Sequence, residues 1–256
     1  MKNKPKNFIE AKAKYEGMEY ETKKHGKVKV VDYQSATEVV VQFESTKYVT
    51  TTSTGNLKQG FVKDKSVPSV CGFGIVGDYS IRDEHGVIEK EYRKWEQMLD
   101  RVYTRPKRSY LDCTVSLKFQ KYADFKEWCN KQIGFDQEGW VLDKDILIKG
   151  NKEYSPETCC FVPSDINAIF IRQENIRGKY PIGVWFDKQN GSYQADVCVG
   201  RKKRRRLGSF DTPEEAFQAY KQAKEAYIKE VAELYKDQID IRVYEALMKY
   251  EVDIND

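Results

Sequence analysis

YPIGVWFDKQNGSYQADVCVGRKKRRRLGSFDTPEEAFQAYKQAKEAY, the stretch from Tyr180 to Tyr227, carries the clearest pattern of strands, turns and a helix start in the chain. Tyr180 to Phe186 reads as a strand, and Asn190–Gly191 is a strong hairpin signal. Tyr193 to Val199 reads as a second strand and Arg204 to Leu207 as a third. Gly208–Ser209–Phe210–Asp211 then stops the sheet, and a helix starts. Thr212 suits the N-cap, Pro213 the first helical position, and Glu215 the far corner of a capping box. Ala216, Phe217, Tyr220, Ala223 and Tyr227 then fall on one helical stripe. The expectation is a three-stranded antiparallel sheet packed on a helix.

Period-two alternation divides the faces of that sheet. With Val184, Phe186, Ala195, Val197, Val199 and Leu207 turned to the helix, the opposite face carries Trp185, Asp187, Gln194, Asp196 and Cys198. Arg204 and Arg206 join it from the third strand, with Lys188, Lys202 and Lys203 at the rim. Such a face suits base edges, with Arg forks for guanine, Gln for adenine, Asp for cytosine and an apolar ring for the thymine methyl. Charge agrees. The whole chain of 256 residues has 44 Lys and Arg against 40 Asp and Glu, a formal +4. Between Arg172 and Phe210, however, ten basic residues face three acidic ones, whereas Asp211 to Asp256 has six basic and twelve acidic. A basic block beside an acidic flank is the footprint of a phosphate-binding surface.

Residues 180–227 resemble the apetala/ethylene-response-factor (ERF-type) DNA-binding domain. The likeness rests on Tyr180–x–x–Gly183–Val184, the middle strand, the turn Leu207–Gly208–Ser209–Phe210–Asp211–Thr212, and Glu214–Glu215–Ala216 leading to Ala219–Tyr220. The resemblance implies a sheet laid in the major groove of double-stranded DNA with the helix behind it. The DNA-binding positions it carries over are Trp185, Asp187, Gln194, Asp196, Arg204 and Arg206, to which the residues themselves add Lys188 and Lys203. Plant members have Arg where Trp185 stands and an Arg near Cys198, so the plant target sequence does not transfer.

Upstream, Leu142–Asp143–Lys144–Asp145–Ile146–Leu147–Ile148–Lys149–Gly150–Asn151 continues through Cys159–Cys160–Phe161–Val162–Pro163 to Ile166–Asn167. A Gly–Asn turn between two strands, followed by a helix bearing Asn, resembles the ββα core of bacteriophage HNH (His–Asn–His) homing endonucleases. That chemistry needs a histidine base and ligands for one divalent cation. The two histidines, His25 and His85, lie in turns far from this motif. The base position falls on Asp143, Lys144 or Asp145, none a good base near neutrality without a large pKa shift. If the core is active, Asp143, Asp145, Asn151 and Asn167 are the catalytic candidates, and Asp145, Asn151 and Asn167, with Asp143 and Glu157, the weak Mg²⁺ candidates.

The N-terminal part shows three β-branched runs, KVKVVDY, TEVVVQF and KYVTTT, with turns at 34–36, 44–45 and 54–56. Val39, Val41 and Phe43 alternate onto one face, and the spacing suggests a small barrel. In the middle, Tyr92, Trp95, Met98, Leu99, Val102 and Tyr103 have helical spacing, as do Tyr122, Phe125, Trp128 and Cys129. Gly72–Phe73–Gly74–Ile75–Val76–Gly77 matches GxGxxG but follows no buried strand and opens no helix, so it reads as a connection. Six cysteines form no CxxC pair, which argues against zinc and for reduced thiols. No apolar run nears the ~20 residues of a membrane span.

The expected fold class is therefore α+β, in three regions. Residues 1–70 form a small β-barrel, 71–175 a mixed HNH-like ββα domain, and 176–256 the ERF-type domain with a helical extension. The expected function is sequence-preferring binding of double-stranded DNA without catalysis, in a protein of phage or prophage origin located in the bacterial cytoplasm. No cofactor and no membrane partner are expected. Two alternatives stand beside it: a Mg²⁺-dependent HNH-type endonuclease with an atypical site, and a protein-binding module acting on host machinery. Ile241, Tyr244, Leu247 and Met248 give the last helix an apolar stripe, for packing on its predecessor or for self-association.

Overall fold

The structure, a computed structural model, describes residues 6–170, 179–200 and 203–254. It is mixed α+β and divides into two compact units, Met1–Lys107 with Gln120–Asp124, and Arg108–Phe119 with Phe125–Asp256. In the first unit, α1 (Lys6–Tyr15) precedes an antiparallel sheet of β1 (Glu19–Glu21), β2 (Lys27–Ser35), β3 (Glu38–Phe43) and β4 (Val49–Thr52), in that spatial order. Alternation works as read, since Val39, Val41 and Phe43 are all buried. The register of β2 against β3 slips between Val30 and Asp32. That slip returns Tyr33 to the buried face, where its ring stacks on Tyr15 at 5.3 Å.

The sheet does not close, and this corrects the barrel expectation. Tyr15 from α1 and Leu57 from α2 (Thr54–Gln59) cover its apolar face together with Val62, so no closure is needed to bury it. Helix α2 is itself a second correction, because Thr54–Gly55–Asn56 reads as a turn in sequence. Ser53 accepts the Asn56 amide at 3.2 Å, and Gly60 ends the helix at φ +71°. Two caps on six residues make a helix out of a turn signal.

Further along, α3 (Lys90–Leu99) buries Tyr92, Trp95, Met98 and Leu99, as the spacing predicts. The chain then widens into a π-type turn over Asp100–Thr104, which keeps Val102 buried while Tyr103 faces outward. The GxGxxG stretch forms turns, and no helix follows until Lys90. Gly74 is small for packing: a Cβ there would lie 2.4 Å from Leu99 and 2.7 Å from Trp95.

The remaining elements are β5 (Thr114–Val115), α4 (Leu117–Gln120), α5 (Tyr122–Cys129), β6 (Trp140–Asp143), β7 (Glu153–Tyr154), β8 (Cys160–Pro163), α6 (Ser164–Ile169), β9 (Val184–Asp187), β10 (Ser192–Cys198), β11 (Arg204–Phe210), α7 (Pro213–Tyr235) and α8 (Ile241–Met248). Strands β6 and β8 pair antiparallel, and α6 packs on both. Strands β9, β10 and β11 form an antiparallel sheet in the order β11–β10–β9, against α7. Helix α7 starts as read, with Thr212 and Glu215 exchanging capping hydrogen bonds and Pro213 in the first turn. Its 23 residues serve two cores. Ala216, Phe217 and Tyr220 pack under the sheet with Ala195 and Val197. Ile228, Val231 and Ala232 pack with Cys160, Val162 and Ile166 of the ββα element and with Val243 and Leu247 of α8. Thus the core crosses the sequence boundary at 175/176.

Two strand limits differ from the sequence reading. β9 begins at Val184 rather than Tyr180, because Gly183 sits at φ +78° and breaks extension. A Cβ at Gly183 would meet the Tyr220 ring at 2.1 Å, so the opening Gly–Val both turns the chain and lets it pass over the helix. β11 runs on to Phe210 through residues read as a stop.

Candidate nucleic-acid interface

A bulge in β11 explains that continuation. Ala195 pairs with Gly208, yet Asp196 pairs with Arg206, so Leu207 is one residue too many. Two residues against one restore the alternation: Arg206 faces out, Leu207 joins the core, Ser209 faces out and Phe210 turns in again. Gly208 takes φ +144° at the bulge, a backbone that side chains resist. Strict counting from Arg204 would have buried Ser209. The glycine inside the strand was the available signal for the shift.

Paired residues in an antiparallel ladder point to the same side. Asp187 opposite Ser192, Trp185 opposite Gln194 and Ser209, Asp196 opposite Arg206, and Cys198 opposite Arg204 therefore share one face. This is the predicted face, with Ser192 and Ser209 added. Trp185 is 44% exposed and donates its indole N–H to an Asp196 oxygen at 3.2 Å. Arg204, Arg206 and Cys198 are exposed, as are Lys188 in one hairpin and Lys203 in the other. Of the ten basic residues counted between Arg172 and Phe210, Arg172, Arg177, Arg201 and Lys202 lie outside the described residues.

Two expected base readers have other employment. Asp187 accepts the Gln189 amide at 3.0 Å and the Asn190 side-chain amide at 2.6 Å, which builds the β9–β10 turn. The Asn190 hydrogen bond, then the Gln189 amide, hold its carboxyl below the usual range. Gln194 is fully buried. Its Oε1 accepts Arg206 Nε at 3.2 Å, Arg206 Nη2 at 2.6 Å and Ser209 Oγ at 3.0 Å, and its Nε2 donates to Ser192 Oγ at 3.0 Å.

The loop between β6 and β8 is different in kind. Asp143, at the end of β6, is buried and accepts the amides of Asp145 and Ile146 at 2.8 Å each through one oxygen. Burial, then the neighbouring Asp145 carboxylate, push its carboxyl up to about 6. Lys144 is buried too, with its ammonium 3.1 Å from Asp145 Oδ2 and 3.2 Å from the Asn151 carbonyl. The side-chain amide of Asn151 donates to the carbonyls of Lys144 and Glu153 at 2.7 and 2.6 Å. Asp143, Lys144, Asp145 and Asn151 thus come together, whereas Asn167 on α6 takes no part in these bonds and Glu157 is exposed in a turn. Sequence reasoning did not foresee a buried Lys144.

These residues do not fit a Mg²⁺ ion as they stand. A divalent cation needs several free, preferably anionic oxygens. Here one Asp143 oxygen and both ends of the Asn151 amide serve backbone groups, and an ammonium already neutralises Asp145. Lys149, in the same loop, donates to the Glu251 carbonyl at 2.8 Å and lies 4.9 Å over the Tyr250 ring. No helix among the described residues is long and apolar enough to cross a membrane. Comparison of the chain with protein-family models, with curated proteins and with solved structures finds no match.

Proposed function

We propose that this chain binds double-stranded DNA with sequence preference, laying the outer face of the β9–β11 sheet in the major groove and cutting nothing. The observation that carries the reading is one sheet with two unlike sides. Ala195 and Val197 seal the inner side on α7, while the outer side offers Arg204, Arg206 and a half-exposed Trp185. A three-stranded sheet fits the ~12 Å width of that groove, and exposed Arg forks suit guanine O6 and N7. Lys188 and Lys203, at the two hairpins, sit where phosphates flank such a sheet. The likeness of residues 180–227 to the ERF-type domain supports the same docking, and with the HNH-like likeness upstream it supports a phage or prophage origin in a bacterial cytoplasm. Substituting Arg204 or Arg206 by Ala tests it. The expected loss is ~1–3 kcal/mol on the preferred duplex, with relaxed preference. Equal loss on every duplex would make these arginines phosphate clamps.

A second reading, a metal-dependent endonuclease, draws on the Asp143 carboxyl at about 6, the shift a carboxylate base needs. Against it stand the two amides already bound to that carboxylate. Plasmid nicking with Mg²⁺ or Mn²⁺ decides: cleavage lost on chelation and in Asp145→Ala would establish it.

A further inference from the structure

A glutamine on a DNA-facing sheet invites the role of adenine reader, which requires its carbonyl oxygen and its amide together. Gln194 has neither to offer. Its Oε1 already accepts two Arg206 N–H groups and the Ser209 hydroxyl, its Nε2 is committed to Ser192, and the side chain is fully buried. Arg206 is its counterpart. Nε and Nη2 form the side fork of the guanidinium, and Gln194 takes that fork. The end fork, Nη1 with the second proton of Nη2, has no partner among the described residues, and the side chain is exposed. An end fork is the geometry that pairs with guanine O6 and N7.

We infer that Gln194 is a positioning residue that holds Arg206 for a single guanine and itself touches no base. The inference rests on the major-groove reading above. Its physical content is preorganisation: a clamped arginine has less rotamer freedom to lose on binding than a free one. The bulge at Leu207–Gly208 belongs to the device, because it alone brings Ser209 beside Gln194 as the third donor. Arg204 is the internal control. It lies on the same face opposite Cys198 and makes no side-chain hydrogen bond among the described residues.

The experiment uses the full chain and duplexes selected from a random pool, with each guanine replaced in turn by 7-deazaguanine, which removes the N7 acceptor. Wild-type protein is expected to lose about tenfold or more at one guanine that Arg206→Lys no longer distinguishes. Gln194→Met, which fills the site without an acceptor, should cut that discrimination to about threefold while binding to unselected duplex stays within about twofold. Gln194→Glu, which keeps the acceptor, should retain it and covers the case in which the Met variant fails to fold. In the free protein, the Arg206 Nε–H should exchange slowly in wild type and Gln194→Glu and fast in Gln194→Met. Full guanine discrimination in folded Gln194→Met, or its loss in folded Gln194→Glu, overturns the inference alone. So does a 7-deazaadenine penalty that vanishes in Gln194→Met, since Gln194 would then be a reader. A wild-type chain with no preference for any duplex overturns the DNA reading and this inference with it.

Discussion

On the outer face of the β9–β11 sheet, polar side chains bond to one another: Gln194 to Arg206, Ser209 and Ser192, and Trp185 to Asp196. In the β6–β8 loop, Asp143 and Asn151 bond to backbone amides and carbonyls of their own loop. Both regions carry the residue types that sequence reasoning marks for chemistry. The difference is what remains outward once those bonds are made. The sheet retains a guanidinium fork and an indole face; among the four residues that come together in the loop, the one partly exposed carboxylate, Asp145, is already beside an ammonium. Polar residues used to build a loop are poorly placed to perform a reaction, whereas polar residues used to orient one another are set up to recognise a ligand.

Helix α7 joins the two regions, and its disruption should therefore produce the largest effect. Phe217→Ala, under the sheet, is expected to cost ~3–5 kcal/mol of unfolding free energy. Denaturation followed by fluorescence of Trp185 and of Trp140 should move together, because Ile228 and Val231 tie the same helix to the ββα core. Separate midpoints would show that the sheet and the ββα core unfold independently, against a shared helix.

Asp143→Ala comes next, at ~2–4 kcal/mol, because two largely buried amides lose their acceptor. An Asp143→Asn variant isolates the charge. The folded carboxyl at about 6 lies above its ordinary 3.8, so the folded state holds the proton more tightly. Its stabilising contribution is complete below pH ~4 and is lost as pH rises through about 6. Wild type should thus lose stability relative to Asp143→Asn between pH 4 and 7, as read by melting temperature. A flat difference would mean that the carboxyl is solvated, and that would bring the loop closer to the sheet in kind.

How much of this contrast is legible in sequence depends on the period involved. Alternation gives Trp185, Asp196 and the two arginines their face, and the capping box at Thr212–Glu215 gives the start of α7. The exposure of Ser209 is not legible by counting, because the bulge at Gly208 inserts a residue that a strict period of two cannot hold. Burial of Gln194 depends on Arg206 twelve positions away, and burial of Lys144 depends on Asn151 beyond a turn. These are tertiary facts with no local signature. The N-terminal barrel failed for a related reason: strand spacing predicts a sheet but not the helix, α1, that covers it.

A smaller effect is expected at the root of α7. Thr212→Ala removes the acceptor for the Glu215 amide and should cost ~1 kcal/mol by chemical denaturation, leaving DNA preference unchanged. A changed preference would mean that the helix end, and not only the sheet, meets the duplex.

Selection of bound duplexes from a random pool by the full chain, with Mg²⁺ present, tests binding, sequence preference and cleavage together. The expected result is an enriched, guanine-containing motif recovered uncut. Its affinity should fall with salt at roughly 0.9 log units per log unit for each phosphate contact, and its preference should relax in Arg206→Ala. Retention of no duplex, or equal retention of all sequences by wild type and Arg206→Ala, would contradict sequence-preferring DNA binding by this sheet.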